Sequence, residues 1–206
     1  MYNSKLFRRT QAENYIVTKK NDILPSFAQL NLMELRLLNF CIAHYDSRKP
    51  DDRTKTKTVA EFAKTFQLSV QSVYGKLKKT MSAFADKPLK FRTDKEEGFC
   101  CMLNMFSFKY YKGRFDFKLS PEIRPYLLDI KVKFTSYRIS AVFNFKSART
   151  WRLYEHLKRW QEAGSWKVSL EELKKMHGYP QPHSHLLLEK PGCPFRPPSR
   201  WVLCRM

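Results

Sequence analysis

The sequence predicts an α+β fold, and three observations predict it. Residues 58–86 read as two short helices joined by a tight turn, and a strand hairpin follows directly. A second, shorter stretch near residue 169 repeats the cap and apolar spacing of the first. The chain carries 39 Lys+Arg against 19 Asp+Glu, a formal net charge of +20. Two helices, a turn and a hairpin with a basic outer face form a winged helix. The expected architecture is a winged-helix domain, the start of a second one, and an irregular tail.

The elements justify this in order. Tyr15-Ile16-Val17 is β-prone and predicts a short strand after an N-terminal arm. Asn31 and Glu34 form a capping box, and Leu35, Leu38, Ile42 and Tyr45 then mark one helix face. Asp46 to Lys57 reads as a polar loop. Thr58 and Glu61 form a second capping box, with Phe62 and Phe66 an i, i+4 core pair. Ser69 caps a third helix running to about Asp86, with Val70, Val73, Leu77, Met81 and Phe84 inward. Gln71, Gly75, Lys78, Lys79 and Ser82 face outward.

Pro88 stops that helix, and strands follow at Leu89–Arg92 and Phe99–Tyr110. Lys112-Gly113 supplies a turn into Arg114–Leu119, whose alternation marks a half-buried strand. Ser120-Pro121-Glu122 opens a helix ending near Asp129, and residues 134–146 read as a bridge. A long helix spans Ser147 to about Glu162, with Trp151, Tyr154, Leu157 and Trp160 toward the core and Gly164 ending it. Trp166-Lys167-Val168 is a short strand, and Ser169 with Glu172 caps a helix to His177.

The segment Thr58–Phe66 aligns with Ser169–His177 in cap, acid and apolar positions. Each copy follows a longer helix carrying Arg-Leu, at Arg36-Leu37 and Arg152-Leu153. The first copy's third helix begins 11 residues after Thr58, and the same offset from Ser169 lands on Pro180. Six of the 11 prolines lie from there onward, and an interior proline costs a helix about 3 kcal/mol. The expected organisation is an N-terminal winged-helix domain over residues 1–146, an incomplete second one over 147–178, and a Pro-rich, non-native-looking tail over 179–206 with no docked element. Trp151, Leu157 and Leu173 are then expected to be only partly covered.

A chain this basic repels itself unless it meets a polyanion, and double-stranded DNA is the expected partner. The candidate contact residues are Gln71, Ser72, Lys76, Lys78 and Lys79 on the third helix, and Arg92, Lys109, Lys112 and Arg114 on or near the hairpin. The five cysteines are odd in number, which fits reduced thiols rather than a disulfide framework. With no secretory pattern and no apolar run of about 18 residues, a cytoplasmic protein with no membrane partner is expected. His183-Ser184-His185 is similar to the paired histidines of rolling-circle nucleases, but it sits among prolines rather than on an apolar strand. His183, His185, Cys193 and Cys204 match no zinc spacing. No catalytic residue, metal or cofactor is expected.

The run Gln29-Leu30-Asn31-Leu32-Met33-Glu34-Leu35-Arg36-Leu37-Leu38, the segment Phe134-Thr135-Ser136-Tyr137-Arg138 and the stretch Arg152-Leu153-Tyr154-Glu155-His156-Leu157 resemble the Rep initiators of iteron-containing, theta-replicating plasmids. The resemblance covers about residues 12–178. It implies two winged-helix domains, the first for dimerisation and backbone contacts to DNA, the second for reading origin repeats. It also implies a homodimer that represses its own gene, and a monomer that opens the origin with host initiator and helicase. This chain matches the first domain and only the opening of the second. The expected function is therefore plasmid replication initiation by a chain truncated in its second domain and lacking origin-repeat recognition. The rival readings are a winged-helix repressor that autoregulates copy number, and a rolling-circle-type nicking enzyme.

Overall fold

The computed structural model describes residues 15–48, 51–85, 87–92, 97–109, 112–177 and 201–205. Three capping boxes start three of its helices. At α1 (Leu32–Ile42) the Asn31 side chain accepts from the Met33 and Glu34 amides at 2.9 and 3.0 Å, and Glu34 accepts from the Asn31 amide at 2.7 Å. Thr58 and Glu61 do the same for α2 (Val59–Thr65), and Ser169 and Glu172 for α6 (Leu170–Met176). Each box satisfies backbone donors that the first helical turn leaves unpaired. Asn31→Ala is expected to lower stability by about 0.5–2 kcal/mol, measurable by urea unfolding.

Strand β2 (Lys55–Thr58) leads into α2, and α3 (Val70–Ala85) follows after a left-handed residue at Gln67 (φ +51°). β5 (Leu103–Lys109) and β6 (Arg114–Leu119) complete a three-stranded antiparallel sheet in the order β2-β6-β5. Thr58 pairs Arg114 and Lys109 pairs Arg114 across the two ladders. Gly113, at φ +56°, carries the turn between β5 and β6 in a conformation that side chains disfavour. The core below the sheet is aromatic: Phe40 and Phe62 lie 5.2 Å apart edge-on, and Phe106 stacks on Phe115 at 5.4 Å.

Two further strand pairs flank this unit. β3 (Leu89–Arg92) pairs β4 (Glu97–Cys100), and β1 (Ile16–Lys20) pairs β7 (Phe134–Arg138), both antiparallel. Beneath β1 and β7 lies α5 (Ala148–Arg159). Its Trp151 is fully buried in the same core as Phe40 and Phe62. Lys19 Nζ donates to Glu155 Oε1 at 2.6 Å, with both side chains out of water. The Tyr137 hydroxyl donates to Glu155, lies 3.2 Å from Asn39 Oδ1, and accepts from the Trp151 indole at 3.0 Å. Burial pulls the Lys19 ammonium below the ordinary lysine range, against the opposing effect of Glu155. The Arg152 guanidinium donates to the carbonyls of Phe27, Leu30 and His177, tying α5 to the 3-10 segment Asn21–Gln29 and to the end of α6.

Several expectations change. The loop expected over 46–57 ends in β2, and the bridge expected over 134–146 begins with β7. The strand expected over 99–110 is broken at Cys101 and Met102. The helix expected from Ser120 to Asp129 shrinks to one turn, α4 (Arg124–Leu127), because the Ser120 hydroxyl donates to the Cys101 carbonyl instead of capping. Arg114–Leu119 does not alternate. It is the central strand, so Phe115, Asp116, Phe117 and Leu119 are all buried. On α3, Val70 is 47% exposed, and Thr80 takes an inward position. The Ser69 hydroxyl bonds the Gln71 side chain rather than an amide, although the Ser69 carbonyl accepts the first helical bond, from Val73.

α5 buries Trp151, Arg152, Glu155 and His156, while Leu157 is half-buried and Trp160 exposed. Trp151 is therefore fully covered, contrary to expectation, because the first unit packs on it: Phe66 and Phe145 lie 6.2 and 6.5 Å away. Leu173 is partly covered as expected, and α6 buries no residue. The expectation that nothing after residue 178 docks is corrected for one segment. β9 (Trp201–Arg205) pairs antiparallel with β8 (Ser165–Ser169), and Ser169 faces Trp201 just as Thr58 faces Arg114. The other tail residues, including His183, His185 and Cys193, lie outside the described residues, as does the side chain of Cys204.

Candidate nucleic-acid interface

α2, the turn at Gln67-Leu68 and α3 form a helix-turn-helix, and the β5–β6 hairpin is its wing. The turn is held by the Leu68 amide on the Ala63 carbonyl at 2.8 Å. Val73 and Leu77 are buried and Phe84 nearly so, which fixes the rotation of α3. That rotation leaves Gln71, Ser72, Lys76, Lys78 and Lys79 exposed. Their i, i+4 and i, i+3 spacing puts them on the outer side of one 16-residue helix. The N-terminal half of α3 and the wing are locked together, because Tyr74 meets Phe108 edge-on at 4.9 Å.

The wing residues divide by their partners. Lys112 and Arg114 are exposed at the turn and just after it. Lys109 donates to Asp116 at 2.9 Å, and Thr56 donates to the same carboxylate at 2.6 Å. Hydrogen bonds from Lys109 and Thr56 hold the Asp116 carboxyl below the usual range, so part of the Lys109 charge is spent within the sheet. Arg92 lies on β3, opposite Glu97, in a hairpin separate from the wing. The structure thus brings together the α3 residues, Lys109, Lys112 and Arg114, and places Arg92 on another sheet.

Sequence reasoning missed the buried polar set of Lys19, Asn39, Tyr137, Arg152 and Glu155. These residues do not face the α3 surface; they hold α5 to the first unit. Their signal was weak, because Arg152 and Glu155 interrupt rather than extend the apolar pattern of α5. Among the described residues no group of His, Cys, Asp and Glu could hold a metal ion, and no helix is long and apolar enough to cross a membrane.

Three comparisons bear on this geometry. The profile of the family described as "Initiator Replication protein, WH1" matches residues 16–158. A replication initiation protein of Escherichia coli is 26% identical over 198 residues, covering 91% of this chain. The chain spans 59% of that relative's length. The crystal structure of the Pi initiator protein in complex with iteron DNA superposes with a TM-score of 0.71, at 19% identity, covering 80% of this chain and 73% of that one. That likeness establishes a winged-helix fold. With the family profile running from β1 almost to the end of α5, this chain belongs to the initiator replication protein family.

Proposed function

We propose that this chain is a plasmid replication initiator that acts by binding duplex DNA through α3 and the β5–β6 wing, rather than by catalysis. The observation that carries the reading is the outer face of α3, where Gln71, Ser72, Lys76, Lys78 and Lys79 stand exposed beside the wing on a chain of net charge +20. Lysines and arginines that neutralise phosphates release counterions, and that supplies affinity without reading sequence. Gln71 and Ser72, near the helix start, add polar side chains suited to sugar and phosphate oxygens, which position a protein without reading sequence. The Pi initiator, which shares this fold, is seen in complex with iteron DNA, and that supports duplex origin DNA as the ligand. The family resemblance adds a homodimer through the first unit, and host initiator and helicase as partners, in the cytoplasm.

The second unit begins with α5, β8 and α6 and keeps the β2-like pairing of its strand. Over the stretch that matches α3 of the first unit, it carries Pro191 and Pro194 at interior positions as well as Pro180 and Pro182 at the start, and interior prolines oppose a recognition helix. We propose that origin-repeat recognition is lost for this reason and that binding is nearly sequence-blind. A competition mobility-shift assay tests both parts. The expected result is duplex binding that random DNA displaces within about tenfold as well as origin repeats do; intact site-specific proteins discriminate by about 10³ or more. Discrimination on that scale would overturn the sequence-blind part. Failure to bind any duplex at low salt would overturn the whole reading.

A further inference from the structure

A cleft of about 890 Å³, of a size that accepts a small ligand, is lined by none of the candidate residues of α3 or the wing. The 3-10 segment Asn21–Gln29, the start of β3, the last residue of α5 and the outer turns of α6 line it. Five cations and two acids contribute to its lining. Two of the cations are already matched: Lys87 donates to Glu34 at 2.7 Å, and Lys90 pairs with Glu97. Of the acids, Glu172 accepts from the Ser169 amide and hydroxyl at 3.2 and 2.9 Å and keeps its negative charge. Lys133, Arg159 and Lys175 are then set against Asp22 and Glu172, leaving a net charge of +1 (three cations minus two acids). The Arg159 guanidinium sits 5.4 Å from the Trp160 ring, which orients it without neutralising it.

Lys133 adds an independent sign. Its φ is +52°, a left-handed conformation that lysine rarely adopts, and its carbonyl accepts from the Asn21 amide at 2.8 Å. Backbone held in such a conformation by its surroundings concentrates at ligand-binding places. Phosphate oxygens are the acceptors that lysine and arginine donors lining one cleft suit.

We infer that this cleft binds a phosphate group and in doing so clamps α6 onto the first unit. α6 buries no residue of its own, so a ligand bridging Lys175 to Lys133 and Arg159 adds to the bond that its end already makes with Arg152. The phosphate comes from a free nucleotide or from a DNA backbone, and the second source rests on the function proposed above.

The test uses the full chain and a variant carrying Lys133→Gln, Arg159→Gln and Lys175→Gln, at three positions open to solvent. Calorimetric titration with ATP and with pyrophosphate is read beside hydrogen exchange of the α6 amides. If the source is a nucleotide, ATP or pyrophosphate slows α6 exchange, and the variant binds at least about tenfold more weakly. If it is DNA, a random 20-base-pair duplex alone slows α6 exchange, and the variant's log K against log salt slope is smaller by about 0.9 for each phosphate it no longer neutralises. Equal behaviour of the two proteins toward all three probes overturns the inference. Lys175→Gln alone serves if the triple variant melts at a lower temperature. A chain that binds no duplex at all sinks the proposed function, while the ATP and pyrophosphate arms still judge the cleft.

Discussion

Replacing Glu155 with alanine is expected to lower the unfolding free energy by about 3–5 kcal/mol. The change leaves the Lys19 ammonium fully buried, with its carboxylate partner at 2.6 Å removed. It also takes away the acceptor that the Tyr137 hydroxyl uses between β7 and α5. The Phe27 ring, 4.7 Å from Lys19 Nζ, is a weak substitute for a carboxylate. Replacing both partners, as Lys19→Met with Glu155→Leu, is expected to restore most of the loss, because an apolar pair has no charge to desolvate. Denaturant unfolding of the two variants decides it. A cost below about 1 kcal/mol for Glu155→Ala would show that α5 is held by packing alone.

The second large effect is acid destabilisation through two histidines, His44 half-buried and His156 buried. His44 lies between Tyr15 and Phe40, with ring centroids at 4.5 and 4.4 Å. His156 stacks on Trp166 at 5.6 Å. Burial pulls each imidazole down to about 4; for His44 its bond with the Phe40 carbonyl opposes the shift, and for His156 the nearby Glu155 does. Nε2 of His44 and Nδ1 of His156 are buried without a partner among the described residues. The folded values lie below the unfolded value of 6.5, so the unfolded chain binds protons first as pH falls. Stability is therefore full above about pH 6.5 and declines toward about pH 4, by roughly 3 kcal/mol for each histidine at most. Unfolding midpoints between pH 7.5 and 4.5 measure this, and His156→Gln should flatten part of the curve. An unchanged slope in that variant would mean that His156 protonates freely in the folded chain.

What the sequence reveals here follows from how local each determinant is. The capping boxes at Asn31, Thr58 and Ser169 need only residues three apart, and all three form. The outward set on α3 was legible for the same reason, since Val73, Leu77 and Phe84 repeat at helical spacing. β7 was illegible because its partner β1 lies more than 100 residues away: Thr18 bonds Ser136 at 3.0 Å. The buried face of α5 was misjudged because Arg152 and Glu155 are inside only through partners on other elements. Trp201–Arg205 could not be placed from its own residues, because its order comes from pairing with β8. In the candidate interface, the α3 lysines were readable from periodicity, whereas the diversion of Lys109 to Asp116 needed the pleat of the central strand.

The central claim is that the outer face of α3 meets the DNA backbone. The direct measurement is the slope of log K against log salt for a random duplex, taken for the wild type and for Lys76→Ala, Lys78→Ala and Lys79→Ala combined. Each phosphate left without its lysine removes about 0.9 from the slope, so the triple variant should be shallower by up to about 2.7. Its stability should stay within about 0.5 kcal/mol of the wild type, since all three side chains are exposed. A stable variant with the wild-type slope and affinity would contradict the claim and move the DNA-binding face off α3.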